Sequence, residues 1–275
     1  MSLTSFLKDN ADVRECFRQE FKKPKFLAKN DLVAPPLTTR YSTVGTAFDY
    51  LLRFFVQHLN PHTVDRGNWV AESAVERLAG DAKLYAKGEK IVSRARKELA
   101  SFLTNGQMSE ALIESALSLA TLDPIFRAGR GHETIGDVHK DDVQDLKNLI
   151  SAVDKKPFTA NNLCMINPNF GSASVLVGGA DADIVVDDTI IDIKTTKKLS
   201  LDRSFLDQVL GYYVLHHISG VGELNPKPTI TKVAIYFSRY GYLYSMHLSD
   251  LVDSATFPKF SRWFQKRAAK AFPSE

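Results

Sequence analysis

The sequence predicts a mixed α/β fold in which a central β-sheet is flanked by helices. Apolar residues recur at helical spacing up to about residue 152, and short runs rich in Val, Ile and Thr follow from about residue 163. The chain has 275 residues, of which 44% are hydrophobic, so it can bury a sizeable core. This order predicts a helical part, then a sheet, then a final helix.

The helices of the first half are predicted from apolar spacing and from the positions of Pro and Gly. They cover residues 5–23, a segment around Gly45 that runs to Asn60-Pro61, and then 69–87, 89–104 and 107–122. Pro24 ends the first helix, and Gly106 separates the last two. Residues 31–41, which include Pro35-Pro36, are expected to form a loop.

The strands are predicted from β-branched and aromatic residues that lie between turn signals. They begin near residue 163 and include 174–178, 183–186, 189–194, 230–238 and 241–247. Asp187-Asp188 and Tyr240-Gly241 suit tight turns between neighbouring strands. A helical apolar pattern with Leu206 and Leu210 separates the two groups of strands.

These patterns predict a single domain over residues 1–275. Within it, residues 1–155 are mainly helical and include the Gly45 helix. Residues 160–250 form the core sheet, and residues 255–275 form a basic C-terminal helix.

The hairpin predicted over residues 183–194 carries the residues that matter most for function. Because side chains alternate along a strand, Asp192 and Lys194 are expected to share one face, while Ile193 points into the core. Folding back at Asp187-Asp188 can bring Asp183 close to Asp192. Two neighbouring carboxylates repel each other unless a cation lies between them, and oxygen ligands of this kind suit Mg²⁺ or Mn²⁺.

These residues resemble the PD-(D/E)XK nuclease superfamily, whose members have the restriction-endonuclease-like fold. Asp183 matches the single aspartate of the motif, and Asp192-Ile193-Lys194 matches the (D/E)-x-K element. Ala182 stands where the motif has proline.

Two further segments are similar to the RecB-like branch of that superfamily. Gln208 and Tyr212 match its QxxxY element, and their spacing of four residues puts them on one helix face. Gly45 matches the glycine of a Gly-x-x-x-His helix that supplies a metal ligand, but Asp49 stands at the histidine position. Asp49 can bind Mg²⁺ in its place, and Glu72 is the alternative upstream acid. The resemblance covers roughly residues 40–60 and 175–240.

The resemblance implies a restriction-endonuclease-like core with an N-terminal helical elaboration. It also implies a metal-dependent nuclease that hydrolyses phosphodiester bonds of nucleic acid, with DNA as the expected substrate. The implied ligands of Mg²⁺ (or Mn²⁺) are Asp49, Asp183, Asp192 and the main-chain carbonyl of Ile193. The metal would activate a water and neutralise charge on the phosphate.

The same resemblance implies roles for three more side chains. Lys194 would assist at the attacking water or at a phosphate oxygen, and Gln208 would position the hairpin or the substrate. Tyr212 would contact the nucleic-acid strand or stack on it. Two other hypotheses stay open: a fold that binds nucleic acid without turnover, and a metal-free protein whose acidic hairpin is only surface.

The overall charge does not indicate a nucleic-acid partner, because 35 basic and 32 acidic residues leave a net charge of +3. Local clusters are more informative. One follows the motif and contains Lys194, Lys197, Lys198 and Arg203; the other lies in the C-terminal segment and contains Lys259, Arg262, Lys266, Arg267 and Lys270. Either cluster can guide a phosphate backbone. The alternative for the second cluster is a solvated helix face with Trp263 and Phe264 buried.

The cysteine content and the lengths of the apolar runs limit which cofactors and which location are expected. Some RecB-like relatives hold an iron–sulfur cluster with four cysteines, whereas this chain has only Cys16 and Cys164, so no such cluster is expected. No apolar run reaches the roughly 18 residues of a membrane span, so no membrane partner is expected. The N-terminus lacks an apolar signal segment, and two distant cysteines suit a reducing compartment, so we expect a cytoplasmic protein.

Overall fold

A six-stranded mixed β-sheet with helices on both faces forms the core of the protein, which confirms the predicted α/β class. The structure, a computed structural model, describes residues 2–65, 67–129 and 131–272. The strands are β1 (Val64–Asp65), β2 (Cys164–Ile166), β3 (Ile184–Val186), β4 (Thr189–Lys194), β5 (Lys232–Phe237) and β6 (Tyr242–His247).

The strands lie side by side in chain order. β2, β3 and β4 form an antiparallel meander, β4 and β5 are parallel, and β6 returns antiparallel to β5. β1 comes from the helical part of the chain and pairs in parallel with β2. Because a parallel pair needs a crossover, a helix must connect β4 to β5.

Five helices cover one face of the sheet and build the first apolar cluster with it. They are α3 (Tyr41–Leu59), α4 (Val70–Glu76), α5 (Ala82–Asn105), α6 (Glu110–Ala128) and α7 (Lys140–Ser151). Alternate strand residues, including Ile184 and Ile191, point toward these helices. α6 is buried almost all round, as expected of a helix surrounded by others.

The opposite face carries the second apolar cluster, which holds Val185 and Ile190. Its helices are α1 (Leu3–Asp9), α2 (Ala11–Glu20), α8 (Ser172–Leu176), α9 (Arg203–Ser219), α10 (Leu248–Leu251) and α11 (Phe257–Ala271). α9 is the crossover from β4 to β5 and contains the QxxxY element.

The first predicted helix, 5–23, is two helices that meet at Asn10. Asn10 has an extended backbone, and its side-chain amide donates to the carbonyl of Phe6 at 2.8 Å. Asparagine competes with helical backbone bonds in this way, so the continuous apolar spacing did not reveal the break. The second helix ends at Glu20, before Pro24.

The boundary predicted between helices near residue 88 is wrong. α4 ends at Glu76, and α5 starts after Asp81, whose side chain accepts from the backbone N–H groups of Lys83 and Leu84. Gly88 lies inside α5 and is needed for packing: a Cβ there would lie 2.7 Å from a methyl group of Val75. The glycine brings two helices together and does not end one.

The strand predicted at 174–178 is also wrong, because the segment forms the short helix α8. The Ser174 hydroxyl accepts from the N–H of Phe170 at 2.8 Å and donates to the carbonyl of Ala180 at 2.6 Å. Val175 is 76% exposed, so the apolar run does not form a buried strand face.

A buried ion pair joins the helical part to the sheet. Arg239 lies just after β5, Asp145 lies in α7, and both side chains are at most 1% exposed. Two nitrogens of the guanidinium bond both carboxylate oxygens, at 2.8 and 3.1 Å. Arg239 also donates to the carbonyl of Ala34, which fixes the loop before α3.

The predicted C-terminal helix is present as α11. Of the two aromatic residues that the alternative for its basic cluster expected to be buried, Phe264 is buried and Trp263 is half-buried. Arg267 forms an ion pair with Asp12 of α2 at 2.6 Å, so part of the basic cluster serves helix packing. Residues 273–275 of that prediction lie outside the described residues. None of the described helices is both long and apolar enough to cross a membrane.

Candidate functional site

The β3–β4 hairpin brings Asp183 and Asp192 together at its open end. β3 and β4 are antiparallel, with Ile184 opposite Ile191. The same register, continued by one residue, puts Asp183 opposite Asp192. By the alternation along β4, Asp192 shares the side of Ile190, so its carboxylate lies on the α9 side of the sheet.

Asp183 is held in place by backbone groups around it. The N–H of Ile193 donates to its carboxylate at 2.7 Å, and the N–H of Asn167 donates to its carbonyl at 2.9 Å. Burial, followed by the charges of Asp49 and Asp192, raises the pKa of Asp183 well above its usual range. A cation at this position would relieve that repulsion.

Asp192 is only 1% exposed, and its carboxylate has unused acceptor capacity. The ammonium nitrogen of Lys194 lies 2.7 Å from its Oδ2 atom, but neither Oδ1 nor Oδ2 receives a hydrogen bond of ordinary geometry. Burial raises the pKa of Asp192, although Lys194 opposes the shift. A buried carboxylate with free lone pairs is poised to accept another positive partner.

A chain of polar contacts links the hairpin to α9. Lys194 donates to Oε1 of Gln208 at 3.0 Å, and Nε2 of Gln208 donates to the hydroxyl of Tyr212 at 2.8 Å. The ring of Phe205 lies under Lys194, with Nζ 5.2 Å from its centroid. Burial lowers the pKa of Lys194, but the charges of Asp192 and Asp183 outweigh this and raise it, so the ammonium stays charged.

Tyr212, which was expected to contact a nucleic-acid strand, has a side chain that is almost entirely buried. It is 5% exposed, and its ring stacks on Phe170 with centroids 5.6 Å apart. Burial and the nearby charges of Asp192 and Asp183 raise the pKa of its hydroxyl well above the usual range. The neutral hydroxyl orients the Gln208 amide, so Tyr212 is a positioning residue.

Asp49 reaches the site from α3 and is tied to Arg53 one turn later in an ion pair. Gly45 places this helix beside the end of β4: a Cβ at Gly45 would lie 3.7 Å from that of Thr195, an ordinary packing distance. The second oxygen of Asp49 is buried without a hydrogen bond. Burial lowers the pKa of Arg53, but the neighbouring Asp49, Tyr50 and Asp183 outweigh burial and raise it.

Arg53 was missed in the sequence, where only the spacing of four residues from Asp49 points to it. The alternative acid, Glu72, is used elsewhere. One of its oxygens accepts from the N–H of Trp69 at the start of α4, and the other bonds Arg96 at 2.7 Å.

Ile193 lies between the two charged residues but points to the other face. Its side chain packs against the first apolar cluster, as the alternation predicted. Its N–H fixes the Asp183 carboxylate, so the main chain at this residue already serves the site.

The aspartates at the turn of the hairpin have a different role. Asp187, at φ 50°, accepts from the N–H groups of three consecutive residues, Asn161, Asn162 and Leu163. Asp188 accepts from Thr231 and Lys232. Partial burial pushes both pKa values upward, but these hydrogen bonds outweigh it and lower them. Both residues serve the fold, as expected of turn aspartates.

The carboxylates at the open end of the hairpin fit a hard divalent cation that takes only a few of its ligands from the protein. No three His, Cys, Asp or Glu side chains of the described chain stand together as a metal-binding group. Mg²⁺, however, commonly takes one or two carboxylates and keeps waters or phosphate oxygens as its other ligands. Asp183 and Asp192 supply such a pair, and the Oδ1 atoms of Asp192 and Asp49 are buried without a hydrogen-bond donor.

Comparison of the chain with protein-family models, with curated proteins and with solved structures gives no match. The support for a function therefore comes from the chain's own residues and their geometry.

Proposed function

We propose that the protein is a metal-dependent nuclease of the PD-(D/E)XK type that hydrolyses phosphodiester bonds, with DNA as its substrate. The observation that carries this proposal is the open end of the hairpin. There, Asp183 and Asp192 repel each other, Asp192 is 1% exposed with unsatisfied oxygens, and Lys194 lies 2.7 Å away. This arrangement lowers the stability of the folded protein. It is useful where a bound cation and a phosphate group react, because the carboxylates then hold the cation and the lysine stabilises negative charge.

In this proposal Asp183 and Asp192 hold Mg²⁺ or Mn²⁺, with the carbonyl of Ile193 as a further ligand. When bound, the ion supplies Lewis acidity for water activation and for charge on the phosphate. Asp49 joins only if Arg53 releases it, because its carboxylate is now paired.

Lys194 acts as an electrostatic group. Because its pKa is raised, it stays protonated at neutral pH and suits a negative phosphate oxygen better than the role of a base. Gln208 fixes the direction of the ammonium group, and Tyr212 fixes Gln208. This chain of contacts supports the match to the QxxxY element.

The architecture also supports the proposed restriction-endonuclease-like fold. The motif hairpin lies in the middle of a mixed sheet, α3 covers one face near it, and α9 covers the other. A mixed central sheet flanked by helices is what the resemblance in sequence implies.

A second function has an observation in its favour. Lys194 already neutralises Asp192, and Arg53 already neutralises Asp49. These internal cations can replace a metal, which would leave a module that binds nucleic acid without cutting it.

The deciding experiment is a gel assay with linear, circular, single-stranded and double-stranded substrates in Mg²⁺ and in Mn²⁺. The nuclease cuts at least one of them, and Lys194→Ala abolishes cutting while the circular dichroism spectrum stays unchanged. If the wild-type protein cuts no DNA or RNA with either ion, the enzyme is ruled out. Titration calorimetry with Mn²⁺ then tests the second function, which predicts no metal affinity.

A further inference from the structure

A basic segment without helix or strand structure crosses the molecule beside the hairpin. Residues 22–29, here named the basic strap, read Lys22-Lys23-Pro24-Lys25-Phe26-Leu27-Ala28-Lys29. Exposure alternates along it from residue 23 onward. The outward side chains are Lys23, Lys25, Leu27 and Lys29, and the inward ones are Pro24, Phe26 and Ala28. Alternation with a period of two puts the outward side chains on one side of the segment.

The strap is anchored at points that do not use its lysine side chains. Phe26 packs edge-on against Tyr244, with ring centroids 4.8 Å apart, and against Phe237 at 5.7 Å. The N–H of Lys22 donates to the carbonyl of Leu251 at 3.3 Å. Just before the strap, Arg203 of α9 donates to the carbonyl of Phe21 at 3.1 Å. The strap thus keeps a fixed course over the sheet.

Its course passes close to the proposed catalytic lysine. Phe237, which Phe26 covers, is the register partner of Lys194 on the neighbouring strand. Paired residues of adjacent strands lie about 4.8 Å apart and point to the same face. The strap therefore lies on the α9 side of the sheet, beside the end of β4 that carries Lys194.

The outward lysines of the strap are free to meet an anion. No ion pair among the described residues involves Lys22, Lys23, Lys25 or Lys29. Residues two apart lie at most about 7 Å from each other along the chain. Phosphates of one strand follow each other at about 3.4 Å along a duplex axis, so neighbouring lysines can meet different phosphates.

The positive surface continues past the strap toward the end of β4. Lys197 and Lys198, in the segment after β4, are exposed, and Nζ of Lys197 lies 5.7 Å from the ring centroid of Tyr41. Tyr41 is 46% exposed and begins α3, which follows the loop after the strap. An exposed tyrosine beside lysines offers a stacking face next to phosphate contacts.

We propose that the basic strap is a track for the phosphate backbone of one nucleic-acid strand, which it leads to Asp192 and Lys194. This inference rests on the proposed function, since it assigns the strap to the substrate of that site. The row of unpaired lysines, its rigid anchoring by Phe26 and its place beside Lys194 carry it. Leu27, 79% exposed in the middle of the row, supplies an apolar contact for a sugar or base.

The test measures binding of a labelled single-stranded oligodeoxynucleotide by fluorescence anisotropy, in EDTA and at several salt concentrations. The strap variant is Lys23→Ala/Lys25→Ala/Lys29→Ala in the full chain. Each lost phosphate contact lowers the slope of log K against log salt by about 0.7, so the expected change is about 2. The dissociation constant should rise on the order of tenfold or more in about 0.1 M salt.

A matched control removes the same number of charges from another surface. Lys83, Lys90 and Lys97 are exposed on α5, and none of them has an ion pair among the described residues. Lys83→Ala/Lys90→Ala/Lys97→Ala should keep the wild-type salt slope. A second variant, Lys23→Arg/Lys25→Arg/Lys29→Arg, should keep binding, because it retains the charges.

The outcomes are distinct. An unchanged salt slope in the strap variant, or a loss equal to that of the α5 control, overturns the proposal. Equal binding of polyglutamate, lost in the same variant, overturns nucleic acid as the partner. Strap-dependent binding without cleavage in Mg²⁺ or Mn²⁺ supports the strap while the nuclease proposal fails. If the strap variant cleaves DNA as well as the wild type does, the nuclease proposal is supported and the proposal for the strap is overturned.

Discussion

The two ends of the β3–β4 hairpin use the same residue type in opposite ways. At the turn, Asp187 and Asp188 accept hydrogen bonds from backbone and side-chain donors, and their pKa values are lowered. At the open end, Asp183 and Asp192 are buried near other carboxylates, and their pKa values are raised. The turn aspartates stabilise the fold, whereas the open-end aspartates are held in the folded protein at a cost. A costly arrangement of this kind is typical of a functional site.

The largest expected effect is on cleavage activity, which should depend on the aspartates at the open end of the hairpin and not on those at its turn. Asp192→Asn should reduce metal-dependent cleavage by a factor of about 1,000 or more, because it removes one of the two carboxylates proposed to hold the metal. Asp188→Asn makes the same chemical change at the turn and should leave cleavage within about twofold. Initial rates on the preferred DNA substrate measure both. Equal losses in the two variants would remove the functional distinction between the ends.

The next effect separates the ends by stability. Asp187→Ala leaves three consecutive backbone N–H groups without their acceptor and puts alanine at φ 50°, so it should lower the free energy of unfolding by about 1–3 kcal/mol. Urea denaturation measures it. Asp187→Asn, which tolerates this backbone conformation, should lose less. A neutral result for Asp187→Ala would show that the turn does not need its aspartate.

A third prediction tests whether the carboxylate of Asp49 belongs to the proposed metal site at the open end of the hairpin. Asp49→Asn should weaken Mn²⁺ binding by about tenfold, the size expected for a ligand or its close support. Glu72→Ala should leave Mn²⁺ binding unchanged and instead lower stability by about 0.5–2 kcal/mol, through loss of the α4 cap and the Arg96 pair. Calorimetric titration and thermal unfolding distinguish the two. The opposite pattern would make Glu72 the upstream ligand.

The smallest effect depends on pH. Because its folded-state pKa is raised, Asp183 binds more protons in the folded protein than in the unfolded chain above about pH 4, so stability falls as pH rises through that range. Asp183→Asn cannot ionise and should be more stable than wild type at pH 7 by about 1 kcal/mol. The difference should vanish below about pH 4. A constant difference from pH 3 to pH 8 would contradict the raised pKa.

Much of the hairpin was predictable from the sequence, because its determinants are local. Alternation of Ile, Val and Asp along two short runs fixed the strands, the turn and the shared face of Asp192 and Lys194. The Gln208–Tyr212 contact followed from helical spacing. Whether these residues cleave DNA stays a prediction.

The errors arose where distant contacts decide the structure. A helix boundary was predicted near Gly88, but the glycine is needed because Val75 of another helix packs against it. Val175 belonged to a β-branched run, but the hydroxyl of Ser174 fixed the segment as a helix. β1 is only two residues long and owes its place to β2, about a hundred residues away, so no local pattern could show it.

The buried pair of Arg239 and Asp145 has a consequence for dissecting the protein. Cutting the chain in the segment between α7 and β2 would put the two charges on separate fragments. Each fragment alone would expose an apolar surface and leave a buried charge without its partner, a loss of several kcal/mol. We therefore expect that the N-terminal helices do not fold as a detachable module. Two such fragments, mixed after separate production, are expected to recover their structure by reassociating.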